Sequence, residues 1–184
     1  MKDVTSGSQA LATFLVSIKD AENLLAHFNT LNVKPPPPEI EVLKRAGLVM
    51  AMTAWETYVE DRVLEAAASR LAGLADSALA NFVQSRLTDE IKRLHNPSAE
   101  KTVQLFVDYA GVDVSGNWVW NHVIPPVAKQ RLNGYLKLRG DVVHRSRVSA
   151  KGPPQPDPVT KDDLHRAIGF LKELVKATDK ALST

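Results

Sequence analysis

Apolar residues recur every three or four positions along nearly the whole chain, the spacing that lays one stripe along a helix. A first helix is predicted over 8–31, with Leu11, Phe14, Leu15, Ile18, Ala21, Leu25 and Phe28 on its inner face. "KPPPPE" ends it, and the prolines read as a short stiff connector, with a ligand for a proline-binding module as the lesser reading. A long helix over 39–74 follows, carrying Leu48, Met52, Trp55, Val59 and Val63 on one stripe and broken by "GLADS" at Gly73. The next covers 77–94. "NPSAE" then restarts the chain, with Asn96 as N-cap and Pro97 in the first helical position of a helix ending at Gly111.

"VDVSGNWVWNHVIPP" alone has extended character, Trp118 and Trp120 alternating as strand residues would, and it is expected to be an ordered loop packed on the helices. Pro125 and Pro126 open a helix reaching 147. After the proline-rich "SAKGPPQPDPV", Thr160 and Asp163 stand in capping-box positions before a last helix buried through Leu164, Ile168, Leu171, Val175 and Leu182. The expectation is an all-α, up-and-down bundle of about six helices, forming one domain over 1–184.

With 184 residues, 44% of them hydrophobic, the chain is long enough for one real core and short for two. It has no cysteine, so disulfides, thiolate catalysis and cysteine-bound zinc are absent, and a reducing, cytoplasmic setting fits. The N-terminal segment is interrupted by Asp20 and Glu22 and does not read as a signal peptide, and no stretch is suited to crossing a bilayer. Net charge is only +2. Yet between Lys129 and Lys151 stand Lys129, Arg131, Lys137, Arg139, Arg145, Arg147 and Lys151 against Asp141 alone, so the rest of the chain is net acidic. Such concentration suits a polyanion, although a solvated basic face has the same composition.

Within this basic window, "LKLRGDVVHRSR" puts Arg139 near the centre of an apolar arc formed by Leu132, Tyr135, Leu136, Leu138, Val142 and Val143. A guanidinium there must reach a carboxylate, carbonyls or a wet crevice, and a purely structural arginine satisfies that demand as well. His144 follows roughly 140° around and about 7.5 Å along the axis. Gly140 lies between them and leaves a notch over which the arginine stem can bend. In "MTAWETYVEDR", Glu56 sits at the margin of the long helix's stripe and is the carboxylate placed nearest the pair, with Glu60 and Asp61 facing further out. The five histidines (His27, His95, His122, His144 and His165) show no metal-ligand spacing, and there is no glycine-rich phosphate loop. No metal and no cofactor is expected.

An arginine, four residues and a histidine in a late helix of an all-α domain resembles the signature of the HEPN superfamily. The order of "WETYVED", "LHNPSAEKTVQLF", a tryptophan turn and "LNGYLKLRGDVVHR" is similar to the RiboL-PSP-like HEPN branch, over about 40–180. The resemblance implies Arg139 and His144 as the catalytic pair with Glu56 supporting. It implies a homodimer through the helix of 132–147, with a composite cleft that Gly140 would help two helices form. The usual polar residue after the arginine is replaced by Gly140, and Asp141 comes one position later.

RNA carries its own nucleophile, the 2′-hydroxyl. A histidine moves protons near neutral pH, and an arginine stabilises charge on phosphoryl oxygens. The function expected is therefore a metal-independent endoribonuclease of a defence or toxin–antitoxin system. Lys137, Arg145, Arg147 and Lys151 would hold RNA, and an antitoxin or operon partner would accompany it. The alternative is a non-catalytic HEPN module binding RNA, nucleotide or a partner protein.

Overall fold

A computed structural model describes residues 7–33, 37–144 and 158–183. Six α-helices follow in chain order: α1 (Gln9–Leu31), α2 (Pro38–Leu71), α3 (Ala78–Ile91), α4 (Ala99–Ala110), α5 (Pro125–His144) and α6 (Lys161–Ala181). Among the described residues there are no strands, and Trp120 and Val123 make a single isolated bridge. The tryptophan segment is otherwise a 3-10 turn, Val114–Asn117, and loop, in keeping with its mixed pattern.

α2 is the spine. α1 lies along it, α6 packs on both, and α4 and α5 cover another side. The stripe Leu48, Met52, Trp55, Val59 and Val63 is buried throughout, and Phe14 and Trp55 both meet the Tyr58 ring at 6.0 Å. At Gly47 a Cβ would come within 2.7 Å of the Leu164 Cδ2, so the leucine side chain of α6 packs directly against the α2 backbone there and would have to shift to admit a larger residue. The Arg62 Nε donates to Asp179 at 2.8 Å in the interior, and Ser8 donates to the same carboxylate through its backbone and hydroxyl, tying the start of α1 to α6. Burial, with Asp179 beside it, pushes the Tyr58 phenol well above its ordinary range.

The capping box is present as expected: Thr160 accepts from the Asp163 N–H, and the Asp163 carboxylate accepts from the Thr160 N–H, each at 3.0 Å. Other boundaries differ. α4 is capped by Ser98, whose hydroxyl accepts from the Lys101 N–H at 3.2 Å, and not by Asn96, which sits at φ 54° and directs its side chain elsewhere. The long helix ends at Leu71 and finishes in a 3-10 turn, and α3 stops at Ile91. Pro37 and Pro38 form the cap and first residue of α2, so part of the proline run starts a helix.

Leu15 is 40% exposed, because the buried face runs Ala10, Phe14, Ile18, Ala21, Leu25 and Phe28, and Leu15 falls a full step around from Phe14. Leu182 caps α6 and is only half-buried. Of the apolar arc expected on α5, only Leu132 is buried: Tyr135, Leu136, Leu138 and Val142 are half-buried, and Val143 is 48% exposed.

Candidate functional site

The loop between α3 and α4 is fixed from two sides. From α2, the Trp55 indole N–H donates to the Pro97 carbonyl at 3.2 Å, and the neighbouring Glu56 Oε1 accepts from the Asn96 N–H at 3.1 Å. From α5, the Asn133 Oδ1 accepts from the Ala99 N–H at 3.0 Å while its Nδ2 donates to the Glu100 carboxylate. Asn96 is thereby held in the left-handed region, which asparagine tolerates better than most residues.

Its side chain then meets Arg139. The Arg139 Nη1 donates to Asn96 Oδ1, and the Nε of the same guanidinium is buried without a hydrogen-bond partner. The result is a relay from Glu56 through Asn96 to Arg139, joining α2, a loop and α5. Glu56 is linked to Arg139 only through the asparagine, from whose backbone N–H it accepts.

One turn beyond Glu56, Glu60 is half-buried, and its carboxyl is raised above the usual range by burial first, then by the charges of Glu56 and Asp61, with His95 acting in the opposite sense. Glu60 and Asp61 are both half-buried, as Glu56 is. His95, exposed and adjacent to Asn96, brings an imidazole to this group of charges.

His144 is the last residue of α5, five positions after Arg139. Gly140 is half-buried, and a Cβ there would meet nothing within 4 Å, so the notch beside Arg139 is open within the chain. Asp141 is half-buried and Lys137 is exposed on α5. Arg145, Arg147 and Lys151 lie outside the described residues.

The basic window is not uniform along α5. Near its start Lys129 faces acids: the Glu100 carboxyl is held low by its own backbone N–H, by Asn133 and, more weakly, by Lys129, and Asp113 is held low chiefly by the Ser115 hydroxyl with Lys129 contributing. The charge of Lys129 is thus partly met within the fold. Among the described residues no three histidine, aspartate or glutamate side chains gather so as to hold a metal ion.

The residues missed in the sequence are Asn96, in its actual role, and the His95–Glu60 neighbourhood. The signal for the first was "NP": an asparagine before proline favours a turn and disfavours helical backbone.

The all-α bundle of six helices among the described residues is consistent with the fold expected of a HEPN domain. The family model described as RiboL-PSP-HEPN matches residues 16–184, and the chain belongs to that family. The match extends beyond residues 40–180, where the resemblance lies in the motifs, and takes in most of α1. No curated protein and no solved structure matches the chain significantly. No helix among the described residues is long and apolar enough to cross a membrane.

Proposed function

We propose that this HEPN domain is a metal-independent endoribonuclease with Arg139 and His144 at its centre. Two copies pair through α5 to form a composite cleft, and Lys137, Arg145, Arg147 and Lys151 retain the RNA strand. The 2′-oxygen attacks the adjacent phosphorus as its proton leaves to a base, and the bond from phosphorus to the 5′-oxygen breaks as that oxygen takes a proton. A 2′,3′-cyclic phosphate and a 5′-hydroxyl result. His144 moves a proton, and Arg139 stabilises charge on the phosphoryl oxygens. Glu56 supports Arg139 through Asn96.

The observation that carries this reading is the state of the guanidinium. It is anchored at one end by Asn96, itself fixed by Glu56, while its Nε is buried and unbonded. An arginine serving only structure would be expected to satisfy its donors inside the fold. Asn96 takes up Nη1 alone, and the Nη2 of the same guanidinium is left to meet a phosphate. The half-buried apolar positions Leu136, Leu138 and Val142, together with exposed Val143, support pairing through α5, and the open notch at Gly140 permits close approach.

The protein's setting on this reading is a cytoplasmic defence or toxin–antitoxin system with an antitoxin or operon partner. A second reading, a HEPN module that binds RNA, nucleotide or a partner without cutting, is favoured by Gly140 standing where the motif usually has a polar residue. Purified protein incubated with labelled RNA in chelator separates the two: fragments that disappear with His144→Ala support the nuclease, and intact RNA across varied substrates supports the binding module.

A further inference from the structure

α3, the turn after it and α4 border a cleft of about 370 Å³. Its wall on α3 and the turn after it carries Arg86, Glu90 and Arg93, and its wall on α4 carries Lys101. Leu94 and Leu105, both almost wholly buried, give it an apolar floor. Among the described residues none of the three cations is engaged in an ion pair, and Arg93 commits only its Nε, to the Asp89 carbonyl. The single carboxylate of the lining, Glu90, is occupied at one oxygen by the Tyr109 hydroxyl at 2.8 Å. Three unpaired cations against one engaged acid, over an apolar floor and in a space of ligand-site size, fit a phosphate with a flat apolar group attached.

The cleft is joined to the candidate site by the chain itself. Arg93 and Leu94 line it, and Asn96, two residues on and therefore within about 7 Å of Leu94, holds Arg139. A strand whose phosphate rests on Arg139 thus has the cleft within reach of an adjacent nucleotide. We propose that the α3–α4 cleft is a nucleotide subsite for the RNA strand, taking a phosphate on Arg86, Arg93 and Lys101 and a base against Leu94 and Leu105. The inference rests on the RNA reading above but assigns residues outside the Arg139–His144 motif and outside the basic window of α5.

The test is binding, measured by fluorescence anisotropy in a His144→Ala background so that no substrate is consumed. The probes are a single-stranded RNA long enough to span both sites and a dinucleotide. Arg86→Ala/Lys101→Ala is compared with Lys19→Ala/Lys180→Ala, which removes two exposed lysines from α1 and α6, and circular dichroism checks that each variant is folded. The cleft variant is expected to weaken binding of the long RNA about tenfold or more and to lower the slope of log affinity against log salt by about 2, one for each cation withdrawn from the phosphates. Dinucleotide binding should weaken in the same variant, and the control variant should stay at the parent's values for both probes. If the long RNA binds the cleft variant as tightly as the parent, or the control loses as much, the subsite is wrong while the RNA reading stands. If the parent binds no RNA at any salt, or only an acidic peptide, the RNA reading falls and the subsite with it.

Discussion

Replacing Asn96 by glycine removes one atom that matters, the Oδ1 accepting from Arg139, and leaves the backbone able to hold φ near 54° and to keep the N–H bond to Glu56. A hydrogen bond to a charged group contributes about 1.5–3 kcal/mol, and this one is partly exposed, so the lower end applies. A loss of about 1.5 kcal/mol should lower Tm by roughly 3–6 °C in a chain of this length. If the same interaction holds the guanidinium in its working position, kcat for RNA cleavage should fall about tenfold. The affinity for RNA should change little, because phosphate contacts elsewhere remain. Asn96→Ala should be less stable than Asn96→Gly by a further 1–2 kcal/mol or so, since it must hold a left-handed backbone with a Cβ. The assays are differential scanning fluorimetry and single-turnover cleavage on the three proteins. A kcat for Asn96→Gly equal to wild type would show that Asn96 does not position Arg139. Equal Tm values for the glycine and alanine variants would refute the backbone account.

Arg62→Ala leaves Asp179 buried without its cation and should destabilise the fold by about 3–5 kcal/mol in chemical denaturation, and a loss under about 1 kcal/mol would mean the interior there is wetter than described. The Glu60 carboxyl is raised, so the folded state holds its proton more tightly than the unfolded chain does, and wild-type stability falls as pH rises from the ordinary carboxylate range through the raised value. Glu60→Gln should therefore match wild-type Tm below that interval and exceed it above, whereas a difference that does not vary with pH would contradict the assigned cause.

The helices were legible because burial on one side imposes a period that few substitutions break. The α2 stripe and the capping box at Thr160 and Asp163 stand where local pattern put them. Leu15 shows the limit: two adjacent apolar residues both fit a helical stripe, and only the line of α1 against α2 decides that Phe14 goes in. On α5 the apolar arc was real as sequence but is only partly covered by the chain's own helices, so reading it as core overstated its burial. At the site, Arg139 and Glu56 could be named from their positions on two wheels. Asn96 could not, because Ser98 is an equally good cap and what breaks the tie comes from afar. Its partners are Glu56, 40 residues earlier, and Arg139, 43 residues later, and no local rule sees either. The α3–α4 cleft was hidden for the same reason, since Arg86, Arg93 and Lys101 meet only once the Asn96 loop has turned the chain back on itself.

The proposed cleavage uses an atom that DNA lacks, the 2′-oxygen, and chemical analysis of the RNA ends addresses it directly. Wild-type protein incubated in chelator with single-stranded RNA and with DNA of the same sequence should leave 2′,3′-cyclic phosphate and 5′-hydroxyl ends on the RNA and leave the DNA whole. His144→Ala and Arg139→Ala, each confirmed to be helical, should yield no such ends. Ends bearing a 3′-hydroxyl and a 5′-phosphate, DNA cut alongside RNA, or cyclic phosphate undiminished in His144→Ala would contradict the mechanism and return Arg139 to a structural role beside Asn96 and Glu56.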